Sequence, residues 1–427
     1  MNICMFTNTY LPHVGGVANS VATLAADLTR NEHRVLIIAP EYPGREVSQE
    51  DVEVFRVAAI QNFNGSDFSV RLPFTFNLKN RIDQFAPDII HSHHPFLLGD
   101  SALRAASQLE IPIVFTHHTL YEQYTHYVPL NSKPMRQFVI NLSTSYANLC
   151  NRVIAPSRSV ADLIKERGVK RPVTAIPTGV DLDFYRSGDG PSFREKMGIA
   201  ADHFVLGHLG RLAAEKNLDY LAGAVAQSLL RDRQAVFLVI GDGPAADTMT
   251  SLFREKGLDD RVFFAGKQTG PAVSDAYNAM DLFVFSSQSE TQGMVLAEAM
   301  AAGLPVVALD GPGVREVLSD KNNGRLLPEN APPDAFADAI KDFTDHTTRE
   351  DYSRQALETA RLFSRQHCAN LVTDLYQSAI DHYSGGQYRS DDDMISWNTL
   401  LRSIKTEWDL LSQKTEAVIE AFKPDST

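Results

Sequence analysis

Apolar and polar positions alternate along the chain in a regular order. "MNICMFTN" opens it as a short strand. "GGVANSVATLAADLTR" then begins at Gly15 and Gly16, and Val17, Val21, Leu24, Ala25 and Leu28 recur at helical spacing. "RVLIIAP" follows as an unbroken apolar run, the pattern of a strand buried on both faces of a parallel sheet. Strand, glycine turn, helix and strand make the first unit of a doubly wound parallel sheet. The alternation continues. "APDIIHSHH" reads as strand and loop, "LLGDSALRAASQLE" as helix and "IPIVFTHHT" as strand and loop; "RVIAPSRSV" and "VTAIPTGVD" read as short strands.

The stretch "DLDFYRSGDGP" at 181–191 breaks the pattern with Gly, Pro and polar residues and reads as a domain connection. A second series starts at "FVLGHLGRLAAEKNLDYLAGAVAQ" and runs through the strands "AVFLVIGDGP", "RVFFAGKQT", "DLFVFSSQ" and "PVVALD". The expected fold class is α/β: two tandem Rossmann-like doubly wound domains facing across a cleft, with a C-terminal helical extension. The boundaries are 1–185, 192–365 and 366–427, the last returning in part to the first domain. Its helix-like end, within 385–427, packs back or serves as an oligomer contact, and the oligomeric state stays open.

Composition narrows the setting. The 427 residues are 44% hydrophobic, enough for two or three packed cores. Three cysteines, Cys4, Cys150 and Cys368, lie far apart without metal-ligand spacing, which suits a reducing cytoplasm. The first residues lack the pattern of a signal peptide, and no apolar run approaches the roughly 20 residues of a membrane span. Net charge is −13, against bulk nucleic-acid binding. Residues 1–180 hold 16 basic and 15 acidic side chains, so the remainder holds 24 and 38. Within 129–171 eight are basic and two acidic, which fits either a solvated helix face or docking to an anionic membrane surface.

Ligands of open α/β sheets bind beyond the carboxyl ends of the strands. The notable residues fall there: Gly15 and Gly16 after the first strand, "THHT" after "IPIVF", Arg211 and Lys216 after "VLGHLG", "GDGP" after "VFLVI", and Glu290 after "LFVFS". Each has a plain reading as a tight turn, a surface charge or a structural histidine. Two cations just after a strand are better explained by a phosphate. Two acids, Glu290 and Glu298, sit in the otherwise small and apolar "SETQGMVLAEAMAAG", where an unpartnered charge would be costly.

Together "GGVANSV" at 15–21, "THHT" at 116–119, "IPTGVD" at 176–181, "GRLAAEKN" at 210–217, "IGDGP" at 240–244 and "SETQGMVLAEAMAAGLPVV" at 289–307 resemble the retaining glycosyltransferases of family 4, which have the two-domain GT-B fold. The two glutamates with seven residues between them are the most specific part. The resemblance implies a nucleotide-sugar donor held mainly by the second domain. Arg211 and Lys216 would bind its diphosphate, Glu298 the ribose hydroxyls and Glu290 hydroxyls of the transferred sugar. Gly293, Met294 and Val295 would line the donor site, and Gly16 would approach the phosphate from the first domain. His118 matches the family's active-site histidine, with His117 second. His118, Glu290, Arg211 and Lys216 form the candidate catalytic set. Gln292 stands where the family often has Phe, which leaves the donor sugar open. No cofactor and no metal is implied: negative charge growing on the leaving diphosphate would be met by Arg211, Lys216 and a helix N-terminus. Retention would proceed on one face, the leaving phosphate accepting the acceptor's proton.

"THHTLYEQYTHYVP" and "NSKPMRQFVINLSTSYANLCNR" look like the acceptor region of bacterial glycolipid-forming members, diacylglycerol glucosyltransferases and phosphatidylinositol mannosyltransferases. His117, Tyr121 and Tyr124 are the acceptor-binding candidates. Lys133, Arg136 and Arg152 beside Phe138, Val139, Ile140, Leu142 and Leu149 suit either an interfacial helix or a packed one with charged edges. Phe63, Phe68, Phe74 and Phe76 suit core packing or an acyl-chain contact. The expectation is transfer of a hexose, UDP-hexose favoured, to a lipid acceptor by a cytoplasmic enzyme peripheral to the inner face of the membrane. A soluble sugar, sugar phosphate or polysaccharide acceptor is the alternative. A silent nucleotide-sugar-binding subunit or an epimerase of the same fold fits less well.

Overall fold

The computed structural model describes residues 1–13, 15–42, 52–60, 70–71, 76–120, 133–288 and 290–383. The first domain runs β1 (Asn2–Phe6), α1 (Gly16–Arg30), β2 (Arg34–Pro40), β3 (Glu53–Val57), β4 (Ala59–Ile60), β5 (Val70–Arg71), α2 (Phe76–Phe85), β6 (Ile89–Ser92), α3 (Leu98–Gln108), β7 (Ile113–Thr116), α4 (Lys133–Leu149), β8 (Arg152–Ala155), α5 (Arg158–Glu166) and β9 (Val173–Ala175). Its main sheet is parallel, in the order β3-β2-β1-β6-β7-β8-β9. Two short helices follow, α6 (Leu182–Arg186) and α7 (Gly190–Met197).

The second domain runs β10 (Phe204–Leu209), α8 (Leu218–Arg231), β11 (Ala235–Ile240), α9 (Ala245–Glu255), β12 (Val262–Phe264), α10 (Pro271–Asn278), β13 (Leu282–Phe285), α11 (Met294–Ala301), β14 (Val306–Leu309), α12 (Val314–Val317), β15 (Gly324–Leu327), α13 (Pro333–Lys341), α14 (His346–Arg361) and α15 (Arg365–Asp381). Its sheet is also parallel, in the order β12-β11-β10-β13-β14-β15. These are two Rossmann-like domains. Strand order reverses between β1 and β6 in one and between β10 and β13 in the other, and a crevice opens at each reversal.

The apolar runs fill both sheets as their composition requires. Ile3, Met5, Ile37, Val114 and Ile154 face one layer of the first domain, and Cys4, Phe6, Leu36, Ile38 and Phe115 the other. α15 starts at the second domain but packs against the first. Cys368, Val372, Leu375 and Tyr376 enter the same core layer as α1. The three cysteines are buried and free.

The connection at 181–191, which shows no periodicity in the sequence, contains α6 and the start of α7. Each is nucleated by a cap. The Asp181 carboxylate accepts from Phe184 N at 3.1 Å and that of Asp189 from Ser192 N at 3.0 Å, a local signal that apolar spacing does not register. The chain crosses between domains twice, and the crossings pair: Val180 N donates to Phe363 O at 2.7 Å and Arg365 N to Val180 O at 3.0 Å. Arg365 also reaches Asp27 of α1 and Asp181.

In α4, Leu142, Tyr146 and Leu149 are buried, and the Tyr146 hydroxyl bonds Ser92 and Gly99 O. The earlier part of the helix differs: Arg136 is exposed and Phe138, Val139 and Ile140 are only partly covered. Tyr121, Tyr124, Phe63, Phe68, Phe74 and the tail 384–427 lie outside the described residues, as does the side chain of Phe76.

Candidate active site

In the second domain the site grows from the ends of β10 and β13. After β10 the chain makes a tight turn carrying Arg211 and Lys216. Buried Ser286, just past β13, holds this turn: its hydroxyl lies 3.0 Å from both Lys216 O and Asn217 O. The loop after β11 packs against the same turn. Gly241 has φ +133 and faces Gly210 O, where an added Cβ would come to 1.9 Å, so only glycine fits. Arg211 is exposed and pairs with Glu215. Lys216 is mostly buried and forms an ion pair with Glu290.

Glu290 and Glu298 therefore meet different partners. Glu290 takes the Lys216 ammonium, and its carbonyl accepts from Gly313 N at 2.9 Å. The chain turns at Gly293, whose φ is +67 and whose Cβ would lie 2.3 Å from Gly313 O. Met294 and Val295 follow, partly exposed, in the first turn of α11. Glu298 lies one turn further on. The Tyr277 hydroxyl donates to its Oε2 at 2.9 Å, and the Tyr185 hydroxyl bonds it as well. Burial raises the Glu298 carboxyl from 4.5 to about 7, against the two tyrosine bonds, which favour the anion. The same cluster pushes both tyrosine hydroxyls up.

Across the cleft, Gly16 opens α1, and a Cβ there would meet nothing within 4 Å. Packing does not demand this glycine; the space above it is open. His117 is 3% exposed and sits edge-on to the Phe115 ring, its centroid 5.8 Å away. Its neighbour His118 lines the cleft, with Ser20, His93, Thr178, Gln292 and Arg365. His118 Nε2 lies 2.9 Å from Nδ1 of His93. Burial and the adjacent imidazoles hold both histidines well below the usual range, so both are neutral.

Gln292 spans the domains. Its Oε1 accepts from Thr178 N at 3.1 Å, and the Thr178 hydroxyl is 3.0 Å from that of Ser20 on α1. A second bridge joins Glu316 to Ser159, at 2.8 Å from both its N and its Oγ. Among the described residues, no three His, Cys, Asp or Glu side chains are arranged to hold a metal ion.

Sequence reasoning missed His93, Tyr185 and Tyr277. The signal for His93 was present: "HSHH" at 91–94 runs off the end of β6, at the point where strand order reverses. The tyrosines had no comparable signal, since they come from α6 and α10 and meet Glu298 only through the tertiary fold.

Two facing Rossmann-like domains make the GT-B fold, with a cation–carboxylate pair at one crevice and a neutral histidine pair at the other as its candidate site. Known proteins agree. Residues 14–184 match the family description "Glycosyltransferase Family 4" and residues 189–359 "Glycosyl transferases group 1". The alpha-monoglucosyldiacylglycerol synthase of Streptococcus pneumoniae is 31% identical over 360 residues, 82% of this chain and 81% of that protein. A GDP-mannose-dependent alpha-mannosyltransferase of Mycobacterium tuberculosis is 29% identical over 350 residues, 80% of this chain and 88% of that one. Among solved structures, Anabaena Alr3699/HepE in complex with UDP superposes with a TM-score of 0.70 at 21% identity, covering 88% of this chain and 100% of that one. The chain belongs to glycosyltransferase family 4.

Proposed function

We propose that the enzyme moves a hexose from a UDP-hexose to a lipid acceptor such as diacylglycerol, with retention at the anomeric carbon and without a metal. The observation that carries the reaction is the Lys216–Glu290 pair beyond β10 and β13. Lys216, with Arg211 nearby, is the cation for the leaving diphosphate; one ammonium has three donors and serves a carboxylate and a phosphate together. Glu290 is the acceptor for hydroxyls of the transferred sugar. Glu298, gripped by Tyr277 and Tyr185, accepts the ribose hydroxyls. Met294 and Val295, following the Gly293 turn, put the first turn of α11 beside the diphosphate. Gly16 leaves room for the phosphate from the other domain.

Retention follows if the acceptor attacks from the face the diphosphate leaves, giving its proton to the departing phosphate. The roles of Glu290 and Lys216 support this over a covalent route. An ion-paired carboxylate engaged with hydroxyls is badly placed as a nucleophile at the anomeric carbon.

The lipid acceptor rests on the diacylglycerol-named relative and on α4. Exposed Arg136 beside partly covered Phe138, Val139 and Ile140 suits a surface laid against anionic lipid at the inner face of the membrane. Among the described residues no helix is long and apolar enough to cross a membrane. GDP-mannose is the second donor reading, favoured by the mannosyltransferase relative. The test is a matrix of labelled UDP-glucose, UDP-galactose and GDP-mannose against diacylglycerol vesicles and soluble sugars. Label in the lipid phase from a UDP-sugar supports the proposal; label only in soluble products overturns the acceptor.

A further inference from the structure

The histidines at the ends of β6 and β7 form a cluster of packed rings that the family assignment does not explain. His91 is fully buried, and both its ring nitrogens are used: Nδ1 lies 2.6 Å from the Tyr376 hydroxyl of α15 and Nε2 2.7 Å from Thr116 Oγ1. That ring is fixed. His93 packs against it tilted by 40°, at 4.0 Å between centroids, and stacks on His118 at 5.2 Å with 27° between the planes. So His93 is clamped between an anchored ring and the ring that lines the cleft.

The hydrogen bond between His93 Nδ1 and His118 Nε2 needs one proton, and two arrangements supply it. If His118 donated, the His93 proton would sit on its Nε2. That atom is buried and has no partner among the described residues. A buried N–H without an acceptor is costlier and rarer than a bare acceptor nitrogen. The proton therefore belongs on His93 Nδ1, which donates to His118 Nε2. A neutral His118 accepting at Nε2 carries its own proton on Nδ1. No described residue bonds that nitrogen, and His118 borders the cleft.

We propose that His93 is a positioning residue that fixes His118 as its Nδ1-protonated tautomer, so that His118 meets bound substrate as a hydrogen-bond donor and not as a base. The inference rests on the reading of His118 as a residue of the transfer site. It assigns the acceptor's proton elsewhere, since an N–H aimed at the substrate cannot remove one. The leaving phosphate is then the group that takes it.

Two substitutions of similar shape separate the possibilities. His93→Asn keeps an N–H near the position of Nδ1; His93→Asp offers only an acceptor and forces a proton onto His118 Nε2. Expected are turnover within about threefold of wild type for His93→Asn and a loss of about tenfold or more for His93→Asp, with donor Kd changed by less than about twofold in both. Selective 15N-histidine NMR of the full chain, assigned with His118→Gln, reads the tautomer directly and needs neither turnover nor a His93 variant that folds. Nε2 of His118 should be unprotonated in wild type. A proton found there overturns the proposal even in an active enzyme. Equal activity of the Asn and Asp variants overturns it too. An unprotonated Nε2 in a protein inactive with every donor upholds it while refuting the proposed function.

Discussion

Glu298→Gln sets stability against function and gives both a pH signature. The Glu298 carboxyl is raised from 4.5 to about 7 chiefly by burial. Below 4.5 the group is protonated both folded and unfolded, and its burial adds no electrostatic cost. Between 4.5 and about 7 the unfolded chain ionises while the folded group stays protonated, so stability is lost across that window, and above 7 the folded protein holds the anion at the full cost. The gap between 4.5 and about 7, at about 1.4 kcal/mol per pH unit, makes this cost about 3 kcal/mol at pH 8 and under about 1 kcal/mol at pH 5. A glutamine keeps the carbonyl that Tyr277 bonds at 2.9 Å and removes the charge. The variant should gain up to about 3 kcal/mol at pH 8, roughly 6–12 °C in Tm for a domain of this size, and little at pH 5. Donor binding should move the other way. Hydrogen bonds from ribose hydroxyls to an anion are worth about 1.5–3 kcal/mol, so Kd for the nucleotide sugar at pH 8 should rise about tenfold to a hundredfold. Wild-type affinity should fall as pH drops through 7, and the variant should show no such step. Thermal melts and calorimetric titration at pH 5 and 8 measure all four quantities. Equal stabilisation at both pH values, or wild-type donor affinity in the variant, would refute the reasoning.

Other expectations follow from the same contacts. Lys216→Met removes the cation proposed to meet the leaving diphosphate and should cut turnover by about a hundredfold or more, with binding of a free nucleoside changed little; unchanged turnover would remove Lys216 from the proposed site. Glu290→Ala should lower kcat more than it raises donor Kd, and Glu298→Ala the reverse; equal, mild effects from both would make these acids structural. Gly293→Ala places a side chain at φ +67 and within 2.3 Å of Gly313 O. It should cost about 1–3 kcal/mol and weaken donor binding, read by melting and titration. Arg365→Met leaves Asp27, whose side chain is 5% exposed, with Arg30 at 2.7 Å as its cation. A loss of about 1.5–3 kcal/mol by chemical denaturation is expected for the lost charge-assisted bonds, and a loss near zero would show that Arg30 alone satisfies that carboxylate.

The fold was legible because parallel strands buried on both faces leave unbroken apolar runs, as in "RVLIIAP" and "AVFLVI", with glycine turns between them. Shorter or half-covered strands such as β3 and β15 left weaker traces. So did α6 and α7, which depend on aspartate caps and not on an apolar stripe. Within the candidate site, Gly16, Lys216, Glu290 and Gly293 could be picked from the sequence because each sits just past a strand or at a helix start. Those that act by meeting a distant element could not. Tyr185 and Tyr277 reach Glu298 from two helices, and Tyr376 reaches His91 across 285 positions of sequence. His117 and His118, adjacent in the loop just past β7, part company there: one ring lies against Phe115 and the other lines the cleft.

The most direct test of the account is the product itself. The full chain is incubated with labelled UDP-glucose and vesicles of diacylglycerol in anionic phospholipid, and the organic phase is analysed by mass spectrometry and by NMR of the anomeric proton. The account predicts a hexosyl lipid with the donor's α configuration retained, formed without added metal and in the presence of a chelator. A β-linked product, or label confined to water-soluble acceptors, would contradict it.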